Sequence, residues 1–423
     1  MKRLKLLYVA AFLMHVALGG QIAGLPLLAK KAFDATLWQL ALIGLATMLG
    51  HSLFSLATGA LVGRAKPITL SIVGAGVLSI VILLAIPAGG AWHLVGVAAA
   101  CSVGWALFWP MLEAAIAEGA SGRALSRRMG RFNVSWSLGD AVGIPLAGAL
   151  YDVRPWAPFA MMALTAGVIM VIISMAKRME VAVVGGPGGE LIDPEELETS
   201  PLINIRFTRA AWVGNFVGAG AVGVVRSIFA APAVDVFAMS GALYGLVVGT
   251  VNLSRTASFW LLTHWRNWHY RLGIYMSMTM LMAAGMAGVA LAALFPGPVG
   301  IAIVFVSFAA VGFSFGMPYY SSIFYSVHTD ALAESKTRLH EAVIGAGGAA
   351  GVLASGAAGQ LTANTALSAG LVGTLATMSP FLMCSAAVVA GMTVSWGIVS
   401  RKPIGTVATS EDSRYLIGRD GHL

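Results

Sequence analysis

Runs of apolar residues long enough to cross a bilayer recur about twelve times along this chain, and the few charges that interrupt them lie near the middle of the runs. A membrane helix needs roughly 20 mostly apolar residues to span the hydrocarbon core. The runs cover residues 6–29, 37–62, 67–88, 92–118, 126–151, 155–176, 208–232, 239–264, 270–295, 298–327, 337–360 and 369–399. Only 10% of the residues are charged, against about 25% in an ordinary soluble domain, so a soluble fold is excluded. The expected class is an all-α membrane protein of twelve transmembrane helices.

Orientation follows from the cations. With both termini cytoplasmic, 21 of the 26 Lys and Arg residues fall in inside segments and three, Lys30, Lys31 and Arg154, fall outside. The positive-inside rule then sets the topology and places a multi-pass protein in the cytoplasmic membrane. The same asymmetry accounts for the net charge of +8 without nucleic acid as a partner. Lys2, Arg3 and Lys5 ahead of the first apolar run resemble the start of a signal peptide, but that run is too long for one and reads as the first membrane helix. Cys101 and Cys384 both fall inside apolar runs and read as inert packing residues.

A polar segment with Gly185 to Gly189 and the acids Glu190, Asp193, Glu195, Glu196 and Glu198 divides the chain. The expected organisation is a six-helix bundle over residues 1–177, a cytoplasmic linker over 178–206, a second six-helix bundle over 207–400 and a flexible tail over 401–423. The halves match at an offset of 208: Val103, Gly104 and Pro110 with Val311, Gly312 and Pro318, and Gly139, Gly143 and Gly148 with Gly347, Gly351 and Gly356. Internal repeats with a site at their interface are a recurring transporter design.

Two local motifs add a family resemblance. Gly59, Leu61 and Arg64 in the segment from Gly59 to Pro67 are similar to the loop motif of the major facilitator superfamily, although Gly63 stands where that family usually has Asp. Gly139, Gly143, Pro145 and Gly148 resemble its antiporter pattern, with one residue inserted before the proline. The resemblance covers the chain to about Ser400. It implies two pseudo-symmetric six-helix bundles, a central cavity lined by helices one, four, seven and ten, and contact between helices five and eight. It also implies a cytoplasmic gate at Arg64, to which Glu341 either contributes a carboxylate or merely favours its own helix start.

Charges at the bilayer centre cost about 2.5 to 3.5 kcal/mol on insertion scales and therefore face a bundle interior or a cavity. Four stand out: Glu113, Asp140, Arg226 and Arg255. Asn133, Ser137 and Asp140 form one polar stripe beside Trp136, and Asn252, Arg255 and Thr256 form another. Asp140 and Arg255 are expected to face each other, either as a static pair or as a proton-sensitive one. Glu113, one turn after Trp109, is either a proton-coupling carboxylate or a helix-end acid. Arg226, in a stripe with Asn215, either binds an anion or snorkels outward. His15 and His51 either titrate or pack. His340 and Glu341, with His328 and Asp330, match no metal-ligand spacing and read as loop or cap residues. Tyr319 and Tyr320 with Tyr325 either present hydroxyls to a cavity or pack between helices.

The glycine runs carry no Gly-Lys-Ser/Thr, so no nucleotide or other cofactor is expected. The reading is a secondary active transporter that moves a small organic solute by alternating access, proton-coupled as antiporter or symporter, and monomeric in the lipid bilayer. The substrate-binding set is Arg226, Arg255, Asn252, Asn215, Tyr319, Tyr320 and Trp109, and the proton-coupling set is Glu113, Asp140, His15 and His51. The alternatives are a transporter-like receptor or membrane assembly protein without cycling and, less favoured because no nucleophile, base and orienter stand together, a membrane enzyme.

Overall fold

Ten of the helices in this computed structural model are long and apolar enough to cross a membrane. The structure describes residues 2–62, 65–120, 122–179, 201–295, 297–327, 333–365 and 371–400. Of the expected linker, residues 180–200 lie outside them, whereas 201–206 already belong to the helix that opens the second half, so the linker ends earlier than expected; the tail, Arg64 and the side chain of Glu341 also lie outside. The described residues form twelve long helical segments: α1 (Lys2–Phe33), α2 (Leu37–Val62), α3 (Pro67–Ala85), α4 (Ala91–Ala117), α5 (Gly122–Val153), α6 (Ala157–Lys177), α7 (Pro201–Ser227), α8 (Gly241–His264), α9 (Leu272–Ala292), α10 (Pro298–Val327), α11 (Ala333–Thr365) and α12 (Leu371–Ser400). A short helix, Ala230–Asp235, prolongs α7.

The two segments outside the ten are α5 and α8. They carry the polar stripes Asn133, Ser137, Asp140 and Asn252, Arg255, Thr256, which lower their hydropathy and are buried against one another. Apolar side chains such as Ile80, Leu164 and Val306 are instead turned outward, each more than 70% exposed. A surface of that kind on ten helices long enough to span a bilayer suits lipid, and the chain is an integral multi-pass membrane protein.

Packing repeats with a period of six helices. In the first half α1 packs on α5 and α6, and α4 packs on α2 and α3; in the second α7 packs on α11 and α12, and α10 packs on α8 and α9. The halves meet along α5 with α8 and along α2 with α11. Glycines bring these backbones together: a Cβ at Gly143 would lie 2.4 Å from the carbonyl oxygen of Val16 on α1, and one at Gly351, its match at offset 208, would lie 2.4 Å from Gly220 Cα on α7. Small residues permit such close approach between membrane helices.

The far end of the bundle, away from Lys2 and Ser400, is tied between the halves. Asp152, at the end of α5, accepts hydrogen bonds from the backbone N–H groups of Gly241 (2.7 Å) and Ala242 (2.8 Å) at the start of α8. There the exposed N–H groups and the helix dipole favour an anion. Lys30 of α1 pairs with Asp235 at 2.8 Å and with Asp34 at 2.6 Å. That hydrogen bond and the ammonium charge hold the Asp34 carboxyl below the ordinary carboxylate range.

Candidate functional site

Helices α1, α5, α7 and α8 converge on one carboxylate. Asp140 is fully buried in α5, and its Oδ1 accepts a 2.6 Å hydrogen bond from His15 Nδ1 on α1. Its Oδ2 accepts from Nη2 of Arg226 on α7 at 2.5 Å and lies 3.4 Å from Nη2 of Arg255 on α8. Asn252 bridges the two arginines through Oδ1, 2.9 Å from Arg226 and 2.5 Å from Arg255. Asp140 and His15 belong to the first half and both arginines to the second, so the cluster is an ionic tie between halves.

The periodicity that places these groups is simple. Ser137 and Asp140, three residues apart, face the same side of α5 as Asn252, Arg255 and Thr256 face of α8. Thr256 donates to Ser137 at 2.8 Å, and Ser137 to the carbonyl of Asn252 at 3.2 Å. Burying charge without a partner is prohibitive, and here each charged group finds its counterion on a neighbouring helix.

A cavity of about 200 Å³ opens beside the cluster. Aromatic side chains stand among aliphatic ones on its walls. The Trp105 and Trp109 rings stack with centroids 6.3 Å apart, and Trp109 lies 4.5 Å from the His15 ring. Trp136 covers the Arg255 guanidinium at 4.5 Å in a cation–π contact and meets Tyr319 of α10 at 5.8 Å. The polar edge is made by Gln21, which accepts from Trp105 Nε1 at 2.6 Å and donates to Thr47 at 3.0 Å. Gln21 sits in a π-helical turn of α1, Gly20–Gly24, the kind of local widening found often at functional sites.

Of the residues singled out from sequence, His15, His51, Trp109, Glu113, Arg226, Arg255 and Tyr319 border this cavity. Asp140 and Asn252 stand behind it, bonded to the arginines. Two others lie elsewhere. Tyr320 points to α8, where its hydroxyl accepts from Thr263 at 3.4 Å, and packs on Trp268. Asn215 donates to His340 Nδ1 at 3.3 Å and to Ser322 at 3.5 Å.

One open alternative closes and one sequence reading needs revision. Arg226 does not snorkel outward; its side chain is 13% exposed and held by Asp140. His340 is no loop or cap residue but is buried, 2.7 Å from Ser322. Glu118, just past the end of α4, pairs with Arg3 of α1 at 2.7 Å. Sequence reasoning also passes over Gln21 and Asp152. The glycines flanking Gln21 give no polar stripe, and Asp152 looks like an ordinary helix-end acid.

A bundle repeating every six helices, with a buried ion cluster and a cavity at the junction of its halves, has the architecture of membrane transporters. The family model of the Major Facilitator Superfamily matches residues 7–359, and the chain belongs to that family. Among solved structures it is similar to the nucleoside transporter NupG, with a TM-score of 0.66 at 11% identity over 95% of this chain and 100% of that one. A single-residue mutant of NupG gives 0.63 at 9% identity, over 94% and 99%. A bacterial homologue of the human lysosomal transporter Spinster, solved inward-facing and unoccupied, gives 0.63 at 13% identity over 94% and 96%. At these identities the likeness establishes the fold. No curated relative matches the sequence.

Proposed function

We propose that the protein is a secondary active transporter, not an enzyme, that moves a small organic solute by alternating access with proton coupling. The observation that carries this reading is the fully buried Asp140 shared by His15, Arg226 and Arg255 across the two halves. All twelve helices cross the cytoplasmic membrane with both termini inside, and the chain works as a monomer. The halves, residues 1–177 and 207–400, move as bodies joined by the linker.

A carboxylate that ties two moving bodies responds to both a proton and a substrate. While Asp140 is ionised it holds Arg226 and Arg255, and breaking such a buried pair from one side costs about 3 to 5 kcal/mol. A proton on Asp140, handed through His15 from the cavity, removes the counterion and frees the arginines. Glu113 and His51, also on the cavity wall, extend the proton path towards the cytoplasmic mouth. Release of the central tie then lets the halves exchange closure at the distal end for closure at the terminal end, a rigid-body transition between two packed states. Arg64 and Glu341 are the cytoplasmic gate in this scheme.

The test is flux. Proteoliposomes are screened across solute classes with and without a pH gradient; accumulation or efflux of one class that follows the gradient supports the reading. Flux of every transported class unaffected by the gradient would remove proton coupling, and no flux of any class would leave a non-cycling receptor.

A further inference from the structure

The cluster around Asp140 holds more donors than acceptors. Two guanidiniums share one carboxylate, and among the described residues the ion pairs of both arginines go to Asp140 and to no other acid. Asn252 spends its carbonyl oxygen on both arginines, while its Nδ2, with Arg226 Nε and Arg255 Nε, is buried without an acceptor. Buried polar groups are normally paired, and a specific exception calls for an explanation.

Charge is also distributed unevenly across the cavity wall. Asp140 is fully buried behind the arginines, whereas Arg226 and Arg255 themselves border the cavity. The other titratable groups on the wall are His15, which is bonded to Asp140, His51 on α2, Glu113 on α4 and Tyr319 on α10. Glu113 follows Trp109 by one turn, a rise of about 6 Å, on the terminal side of the aromatic walls. The surface that a solute meets beside Trp136 is therefore cationic and rich in N–H donors.

Size and shape restrict the occupant further. A dry apolar cavity of roughly 150 Å³ takes up benzene, so about 200 Å³ suits one aromatic ring with a short chain. Indole faces of Trp105, Trp109 and Trp136 offer flat walls, and aromatic rings prefer offset or edge contacts.

On the reading that this cavity is the transport site, we propose that its occupant is a small organic monoanion with a single flat ring, a carboxylate of the arylalkanoate class. The carboxylate meets Arg226, completing the acceptor-poor cluster as a second counterion, and the ring lies among Trp105, Trp109 and Trp136. Arginine suits this role because its planar fork matches a carboxylate.

Four probes of one shape separate the possibilities: 3-phenylpropionate, 3-phenylpropan-1-ol, 3-phenylpropylamine and phenylalanine. Their binding to the full chain in detergent at neutral pH is followed by quenching of the cavity tryptophans. The acid is expected to bind at least about tenfold more tightly than the alcohol, because a hydrogen bond to a charged group is stronger than one to a neutral group, and the amine more weakly than either. Arg226→Gln is expected to bring the acid down to the affinity of the alcohol, and Arg226→Lys to restore part of the preference. Equal or tighter binding of the alcohol, the amine or phenylalanine would overturn the proposal, as would an unchanged preference in a folded Arg226→Gln protein or binding of none of the four. The acid-to-alcohol ratio of the unmodified chain decides the matter even if the variant fails to fold. Preference for the acid without flux in proteoliposomes would keep this inference and end the transporter reading; gradient-driven flux of a cation would do the reverse.

Discussion

Asp152→Asn should open the distal end of the protein. The carboxylate accepts two backbone N–H groups of α8, at 2.7 and 2.8 Å, across the junction of the halves. Hydrogen bonds to a charged group are worth about 1.5 to 3 kcal/mol each, and a neutral one about 0.5 to 1.5. The amide keeps one acceptor oxygen and loses both the second acceptor and the charge. Because the side chain is 35% exposed, solvent screening reduces the loss to roughly 2 kcal/mol. At about 1.4 kcal/mol per factor of ten, the ratio of distal-open to distal-closed molecules should rise about thirtyfold. Spin labels on cysteines at Gly89 and Val299, at the distal rims of the two halves, report that ratio as a distance distribution, and the native Cys101 and Cys384 are buried and stay unlabelled. A change below about threefold, under roughly 0.7 kcal/mol, would mean that Asp152 caps α8 without restraining the halves.

Three further outcomes are expected. Asp140→Asn leaves two arginines without a counterion and should destabilise the protein by about 3 to 5 kcal/mol, more than Arg255→Met, which leaves Asp140 with Arg226 and His15; thermal unfolding in detergent gives the order. The double variant should recover expression and folding but not gradient-driven transport, and recovery of both would make the pair purely structural. Glu113→Gln should abolish pH-driven accumulation while substrate exchange persists, because the amide imitates the protonated acid; unchanged accumulation would return Glu113 to a packing role. Gly143→Val drives a side chain into the α1 backbone and should lower stability by at least about 1 to 3 kcal/mol, whereas Gly96→Ala, with nothing within 4 Å of the added Cβ, should not.

The helices are legible because lipid imposes one rule on every span: enough apolar residues to cross and a backbone that bonds to itself. The same rule makes Asp140 and Arg255 conspicuous, since a mid-span charge has few places to go. Their mutual approach follows from depth and the family resemblance. What sequence does not give is the azimuth of separate helices, so an outward path stays open for Arg226 although α7 turns it onto Asp140, and nothing links His15 to the same carboxylate. His340 is misread for a related reason: counted from the preceding loop it falls among solvated residues, yet α11 begins early enough to carry it inside the bundle. The distal tie is hidden because an acid at one helix end and a bare helix start 89 residues later share no pattern in sequence.

Proton movement coupled to substrate tests the central claim most directly. Proteoliposomes loaded with a pH-sensitive dye are given a transported solute without an imposed gradient, and the internal pH is followed for the unmodified chain and for Asp140→Asn. The account predicts a solute-dependent pH change in the first and none in the second, with solute exchange retained. Solute flux without any proton movement, or the same pH change in Asp140→Asn, would contradict it.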